Sequence, residues 1–322
     1  MDTKQIIKKI YDAINKSENI LLISHRNPDG DTLGSCLALA HYLETLNKNY
    51  TVYCSESPAP FFAFMPKFNV LQVSANANID FKNYDLIIAC DCADQSQTGI
   101  DEEVWQTITA KIINIDHHAS NPSFGDYNLI QPEAASVTAI VYQFFNQNKI
   151  SLSRDMATCL LTGLVTDTGN FSNHSTNQDA LETASRLIAK GAQIRYINYH
   201  IIKNKSIPVL KLWSRVFLRL RKNHDLNLAW TVITLKDKIE CGVDDLATEG
   251  ISNIFNELAD SSFSLILEEI ESGYVKGSLR ATSNLIDVSK FAKIMGGGGH
   301  CRAAGFRVKG RLVQSHDEWN II

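Results

Sequence analysis

Two hydrophobic textures alternate along the first half of this chain. The opening segment TKQIIKKIYDAINK spaces its isoleucines among charges, which predicts an amphipathic helix. Asn19-Ile20-Leu21-Leu22-Ile23 is then a short apolar run bounded by polar residues, the pattern of a strand buried on both faces. The turn Asn27-Pro28-Asp29-Gly30 follows, and from Asp31 the spacing of Leu33, Leu37, Ala40, Leu43 and Leu46 predicts a helix to about Asn47. Strand, turn and helix make half of a parallel unit. Buried strands are predicted again at residues 50–54, 85–90 and 111–115, with enough chain between them for crossover connections. That alternation specifies an α/β domain. Helical stripes follow at 136–148, 154–165 and 178–190.

Beyond residue 190 the texture changes. Residues 207–223 mix apolar side chains with Lys and Arg at helical spacing, so 191–224 reads as a helical linker with a solvated basic face. A new alternation from Leu226 to Ile233 opens a second sheet, joined by 263–269 and 275–281 around the Ser272-Gly273 turn. A helix is predicted at 284–295, then the run Gly296, Gly297, Gly298 and Gly299, then a strand through 305–308; the last dozen residues are polar and predict no element. The expected organisation is an α/β domain with a parallel sheet and flanking helices at 1–190, the helical linker at 191–224, and a smaller α+β domain at 225–322.

Composition narrows the classes of function. At 322 residues two domains are the better expectation than one. The formal net charge of -4 provides no global field for long nucleic acid, so a polyanionic substrate must be short and handled locally. Seven cysteines scattered through apolar segments do not form a disulfide framework, and a reducing cytoplasm fits them best. No stretch suggests a secretion signal or a membrane span, so a protein without a membrane partner is expected.

Four segments place acidic or imidazole groups directly after apolar runs: His25-x-x-x-Asp29-x-Asp31, Asp91, Asp116-His117-His118, and Asp167. In an open parallel sheet the crevice at the carboxyl ends of the strands is where ligands bind, so the first three converge there, and Asp167 must arrive from a helix or loop end. One carboxylate after a strand is ordinarily a helix cap. Four such segments together crowd carboxylates that would be forced toward neutrality unless divalent cations joined them. Carboxylate mixed with imidazole and lacking thiolate suits manganese, with magnesium or cobalt as substitutes. Cys90 and Cys92 flank Asp91 but point to the opposite face of a strand, which makes them core residues. Four consecutive glycines leave backbone N–H groups open to an anion, so Gly296, Gly297, Gly298 and Gly299 are read as a phosphate cradle.

The strings SHRNPDGDTLGS, NIDHHASN and TDTGNF resemble the motifs of the DHH phosphoesterases, and MGGGGHCRAAGF resembles the hallmark of the first type of DHH-associated C-terminal domain. The resemblance spans nearly the whole chain and implies two Mn2+ ions. One would be held by His25, Asp29 and Asp91, and the other by Asp31, Asp91, His117 and Asp167, with Asp91 bridging. It implies that His118 contacts the scissile phosphate, that Asp116 orients the imidazoles, and that Arg280 and His300 grip the substrate nucleotide. The length resembles the nanoRNase or oligoribonuclease type, which also removes phosphate from 3′-phosphoadenosine 5′-phosphate. Cyclic dinucleotide phosphodiesterases are the alternative, and a non-catalytic nucleotide-binding protein the minor one. Relatives of the oligoribonuclease type usually carry an arginine near the position of Gln97, and here no neighbour of Gln97 is basic, which affects substrate preference rather than the metal site. A homodimer is left open.

Overall fold

The apolar run that opens the sheet forms β1 (Asn19–Ile23), and its side chains divide between two buried clusters: Ile20 and Leu22 face one, Leu21 and Ile23 the other. A strand covered on both faces requires such a division. This computed structural model describes all residues except 1, 75–78, 202–204, 249, 256–257, 271–272, 284, 300 and 316–317. Two units are present, Met1–Asn204 and Lys205–Ile322.

In the first unit β1 is joined by β2 (Asn49–Cys54), β3 (Leu71–Val73), β4 (Leu86–Cys90), β5 (Lys111–Asp116) and β6 (Tyr127–Ile130). The order is β3-β2-β1-β4-β5-β6 and every pairing is parallel. The chain leaves β1 toward one edge and β4 toward the other, so the switch point lies between these two strands. Helices α1 (Thr3–Lys16), α2 (Gly30–Thr45), α3 (Glu102–Trp105), α4 (Val137–Gln147), α5 (Arg154–Asp167), α6 (Gln178–Ala189) and α7 (Ile194–Ile201) complete the unit. The sequence pattern misses β3 and β6, edge strands of three and four residues that are too short to show a periodicity.

Helix α2 is buried almost all round, and two glycines let α5 approach it. A Cβ on Gly34 would lie 2.5 Å from the Cys159 carbonyl oxygen, and one on Gly163 would lie 2.8 Å from Asp31 Cα. Backbones this close leave no room for a side chain. The contact brings Asp31, in the first turn of α2, toward Asp167, the last residue of α5.

The second unit contains α8 (Ile207–Leu218), β7 (Arg221–Asn223), β8 (Leu228–Ile233), α9 (Leu235–Cys241), α10 (Ile251–Ile254), β9 (Phe263–Ile270), β10 (Tyr274–Ala281), α11 (Val288–Ile294), β11 (Gly298–Gly299), β12 (Ala303–Lys309), β13 (Leu312–Ser315) and β14 (Glu318–Ile321). Its main sheet runs β11-β12-β10-β9-β8-β7, with β8 and β9 parallel and the other pairings antiparallel. The α+β expectation matches this mixed sheet.

Three local expectations need correction. Residues 191–224 are not one linker element, because α7 belongs to the first unit and α8 to the second. The helix expected to reach 223 ends at Leu218, and Arg221–Asn223 pairs with β8 as a strand. The polar last dozen residues contain the β13–β14 hairpin, anchored by Leu312, which is buried against Val232 and Val275. A hairpin with one core side chain gives no alternating signature. Among the described residues no helix is long and apolar enough to cross a membrane, and all seven cysteines are free.

Candidate active site

His25 follows β1, Asp91 follows β4, and Asp116 ends β5, so all three stand at the carboxyl edge of the sheet around its switch point. Asp29 caps α2 by accepting from the backbone N–H groups of Asp31 (2.9 Å) and Thr32 (3.1 Å). Its capping role and its place in the cluster coexist, since the same carboxylate lies 3.5 Å from His25 Nε2. Thr32 ties the two central loops together by donating to the Cys90 carbonyl (2.9 Å) and accepting from the His25 N–H (3.1 Å).

The six expected metal ligands come together as two triads. His25, Asp29 and Asp91 form one, and Asp31, His117 and Asp167 the other, each with its donor atoms within 4.8 Å of one another. Asp91 stands between them: Oδ2 is 3.3 Å from His25 Nε2 and Oδ1 is 3.7 Å from His117 Nε2. His117 Nε2 also lies 3.5 Å from Asp167. Both imidazoles turn Nε2 inward for a definite reason. Nδ1–H of His25 donates to the Arg26 carbonyl (2.5 Å), and Nδ1–H of His117 donates to the Ala134 carbonyl (3.1 Å).

Asp91 carries the strongest local signal. Its φ of 60° puts a non-glycine residue in the left-handed region, at a cost of about 1–3 kcal/mol. Its N–H still closes the ladder to the Ile115 carbonyl (2.9 Å). Its Oδ1 is buried without a hydrogen-bond partner among the described residues. A carboxylate oxygen removed from water without a donor is costly unless a cation compensates it, and this oxygen lies 3.7 Å from His117 Nε2 and 3.6 Å from His118 Nδ1.

The electrostatics agree. Burial and the neighbouring Asp91 push the Asp31 carboxyl up to about 7. Burial, with Asp31, Asp29 and Asp91 nearby, raises Asp167 well above the usual carboxylate range. Burial opposes charge on His25, yet Asp29 and Asp91 outweigh it and hold the ring well above its ordinary value. Without cations, the cluster thus reduces its negative charge by holding protons. The donor set, two imidazole nitrogens and four carboxylates with no thiolate, fits a hard to borderline divalent ion.

The structure adds contacts that the sequence pattern does not reveal. Asp31 is fully buried and accepts from the α4 N–H groups of Val137 (2.6 Å) and Thr138 (2.9 Å), and from the Thr138 hydroxyl (2.8 Å). The helix N-terminus stabilises its charge. His118 donates from Nδ1 to Asp116 (2.7 Å), and Asn121 donates to the other oxygen of Asp116 (2.6 Å). Burial opposes ionisation of Asp116, but His118 and Asn121 hold it below the usual range. Cys90 and Cys92 are fully buried, as core residues should be. Arg26, exposed beside His25, is the basic residue next to the Gln97 turn: its N–H donates to the Gln97 carbonyl (2.7 Å).

In the second unit Arg280 lies on β10, and Nη1 donates to the Leu279 carbonyl (3.0 Å). Among the described residues no carboxylate pairs with it, and burial alone lowers its pKa. The glycine run divides into two roles. Gly296 N–H donates to Lys293 (3.1 Å) and Gly297 N–H to Ala292 (2.8 Å), so these two donors close the C-terminus of α11, with Gly296 at φ 76°. Gly298 and Gly299 form β11 against Gly305 and Ala304. The expected four-residue cradle is therefore corrected for Gly296 and Gly297, whose N–H groups are already engaged. A tight helix stop needs the left-handed glycine that the run supplies. His300 lies outside the described residues.

Comparison with known proteins agrees with this layout. Residues 19–164 match the DHH family N-terminal domain, and residues 230–318 match the DHHA1 domain. The bifunctional oligoribonuclease and PAP phosphatase NrnA of Thermus thermophilus is 27% identical over 296 residues, covering 90% of this chain and 84% of the relative. Its namesake from Mycoplasma genitalium is 24% identical over 303 residues, covering 94% and 92%. The crystal structure of an exopolyphosphatase-related protein from Bacteroides fragilis superposes with a TM-score of 0.87 at 25% identity, covering 95% of this chain and 92% of that one. With both domain matches in chain order and the motif residues gathered at one sheet edge, the chain belongs to the DHH family, carrying a DHH domain followed by a DHHA1 domain.

Proposed function

We propose that this DHH-family phosphoesterase hydrolyses short oligonucleotides to 5′-mononucleotides and also removes the 3′-phosphate of 3′-phosphoadenosine 5′-phosphate, using two Mn2+ ions. The observation that carries the reading is the pair of triads on either side of Asp91, whose buried Oδ1 has no hydrogen-bond partner among the described residues. Two relatives that cover most of the chain are named oligoribonuclease and PAP phosphatase, which supports the choice of substrate.

In this reading His25, Asp29 and Asp91 hold one ion, while Asp31, Asp91, His117 and Asp167 hold the other. When bound, such a pair supplies Lewis-acid polarisation of phosphoryl oxygens and lowers the pKa of water. The protein's own groups do the rest. The carbonyls of Arg26 and Ala134 keep the Nε2 atoms of His25 and His117 directed at the carboxylates. Asp116 fixes the His118 ring with its proton on Nδ1, and in the metal-free protein burial, which opposes charge there, is outweighed by Asp116 and Asp91. A cationic imidazole at that position stabilises charge on the phosphoryl oxygens and can pass a proton to the leaving oxygen. Arg280, half-buried and without a carboxylate partner among the described residues, serves the substrate's terminal phosphate through its fork of donors, and Gly298, Gly299 and His300 complete the expected grip on the nucleotide.

The test is a substrate panel with purified protein and added Mn2+: linear dinucleotide, 3′-phosphoadenosine 5′-phosphate, cyclic dinucleotide and pyrophosphate. Turnover of the first two, with the linear dinucleotide giving the highest kcat/KM, is the expected result. Preference for the cyclic dinucleotide or pyrophosphate would overturn the assignment.

A further inference from the structure

Asn121 lies five residues beyond Asp116, and its side chain joins three pieces of chain around the cluster. Its Oδ1 accepts from the Ser123 N–H (2.8 Å), a partner that can only donate. That fixes the amide orientation, so Nδ2 must be the atom facing Asp116 Oδ2 (2.6 Å), Asn114 Oδ1 (2.7 Å) and the Cys92 carbonyl (3.1 Å), all acceptors. Asn114 is itself fixed: fully buried on β5, it donates to the Cys92 carbonyl (3.2 Å). The loop after Asp91 and the loop after β5 are thus joined through one amide.

Asp116 is fully buried, with one oxygen accepting from Asn121 and the other from His118 (2.7 Å). If the Asn121 donor were removed, Oδ2 would lose this partner in a buried place, and the carboxylate could rotate away from the ring it orients. From this geometry we propose that Asn121 is a positioning residue, clamped by Asn114 and the Cys92 carbonyl, that acts through Asp116 to aim His118 at the phosphoryl group.

The inference rests on the phosphoesterase reading but not on the choice of substrate. The kinetics therefore use whichever phosphoester of the panel the wild-type protein cleaves best; if it cleaves none, both readings fall. Three variants decide. Asn121→Asp keeps the size and the acceptor for Ser123 but places a carboxylate against Asp116, and Asn121→Ala removes the amide. In the exchange variant Asn121→Asp/Asp116→Asn, amide and carboxylate trade places, so that a donor again faces an acceptor and an oxygen is again available to His118.

Both single variants should lower kcat by about 10–100-fold, the usual effect of removing a partner that orients a site residue. KM and Mn2+ affinity by calorimetry should change little, and the melting temperature should fall by a few degrees in both single variants, because a buried oxygen loses its donor. The exchange variant should recover part of the kcat lost in Asn121→Asp, which a double-mutant cycle reads as coupling between the two positions. Single variants with near-wild-type kcat would overturn the proposal. So would a parallel loss of kcat and Mn2+ affinity without recovery in the exchange variant.

Discussion

At the scale of single residues, the site is a problem in charge. Asp29, Asp31, Asp91 and Asp167 gather within the two triads, and the protein in the absence of cations responds by raising Asp31 to about 7 and Asp167 well above the carboxylate range. A group whose folded pKa is raised contributes stability that is present below its unfolded value and lost as pH rises through the folded one. Asp31, Asp167, His25 and His118 all have raised values, so all four act in the same direction. Asp29 and Asp116 are lowered, and their contributions are lost only in acid, below the ordinary carboxylate range. The metal-stripped protein is therefore predicted to lose stability as pH rises from about 4, the ordinary carboxylate value, through about 7, the raised value of Asp31. Thermal melting with and without Mn2+ checks this. The increment on adding Mn2+ should be larger at pH 8 than at pH 6, each kcal/mol appearing as about 2–4 °C. An increment independent of pH would contradict the electrostatic account.

At the scale of elements, two helices control how closely the triads meet. Gly163 on α5 lies against Asp31 on α2, and an added Cβ would sit 2.4 Å from Thr138 Cγ2 and 2.8 Å from Asp31 Oδ1. Gly163→Ala is predicted to cost about 1–3 kcal/mol through overpacking and to weaken Mn2+ binding, because the methyl group displaces a carboxylate held by α4. Urea unfolding and calorimetry read the two effects, and a variant equal to wild type in both would show that the contact is slack. This contact also shows what the sequence could not convey. The runs that became β1, β4 and β5 are legible because burial on both faces leaves unbroken apolar strings, and each delivers its polar residue to the sheet edge. The gathering of His25, Asp29, Asp31, Asp91, His117 and Asp167 in one place was legible for the same reason. Asn121, Thr138 and the N–H of Val137 were not, since their roles come from partners distant in the chain: Asp31 and the α4 N-terminus are more than a hundred residues apart. The glycine run was read as a cradle because composition does not reveal that two of its N–H groups close a helix.

At the scale of the whole molecule, the chain divides its work between a DHH unit that carries the carboxylate and imidazole cluster and a DHHA1 unit that carries Arg280. A net charge of -4 suits a protein that recognises a few phosphates rather than a long strand. Everything proposed for catalysis depends on two cations sharing Asp91. The most direct measurement is a crystal grown with Mn2+ and recorded at the manganese absorption edge. Two anomalous peaks should flank Asp91, about 3.5–4 Å apart, one beside His25 and Asp29 and the other beside Asp31, His117 and Asp167. A single peak, or peaks remote from Asp91, would contradict the account.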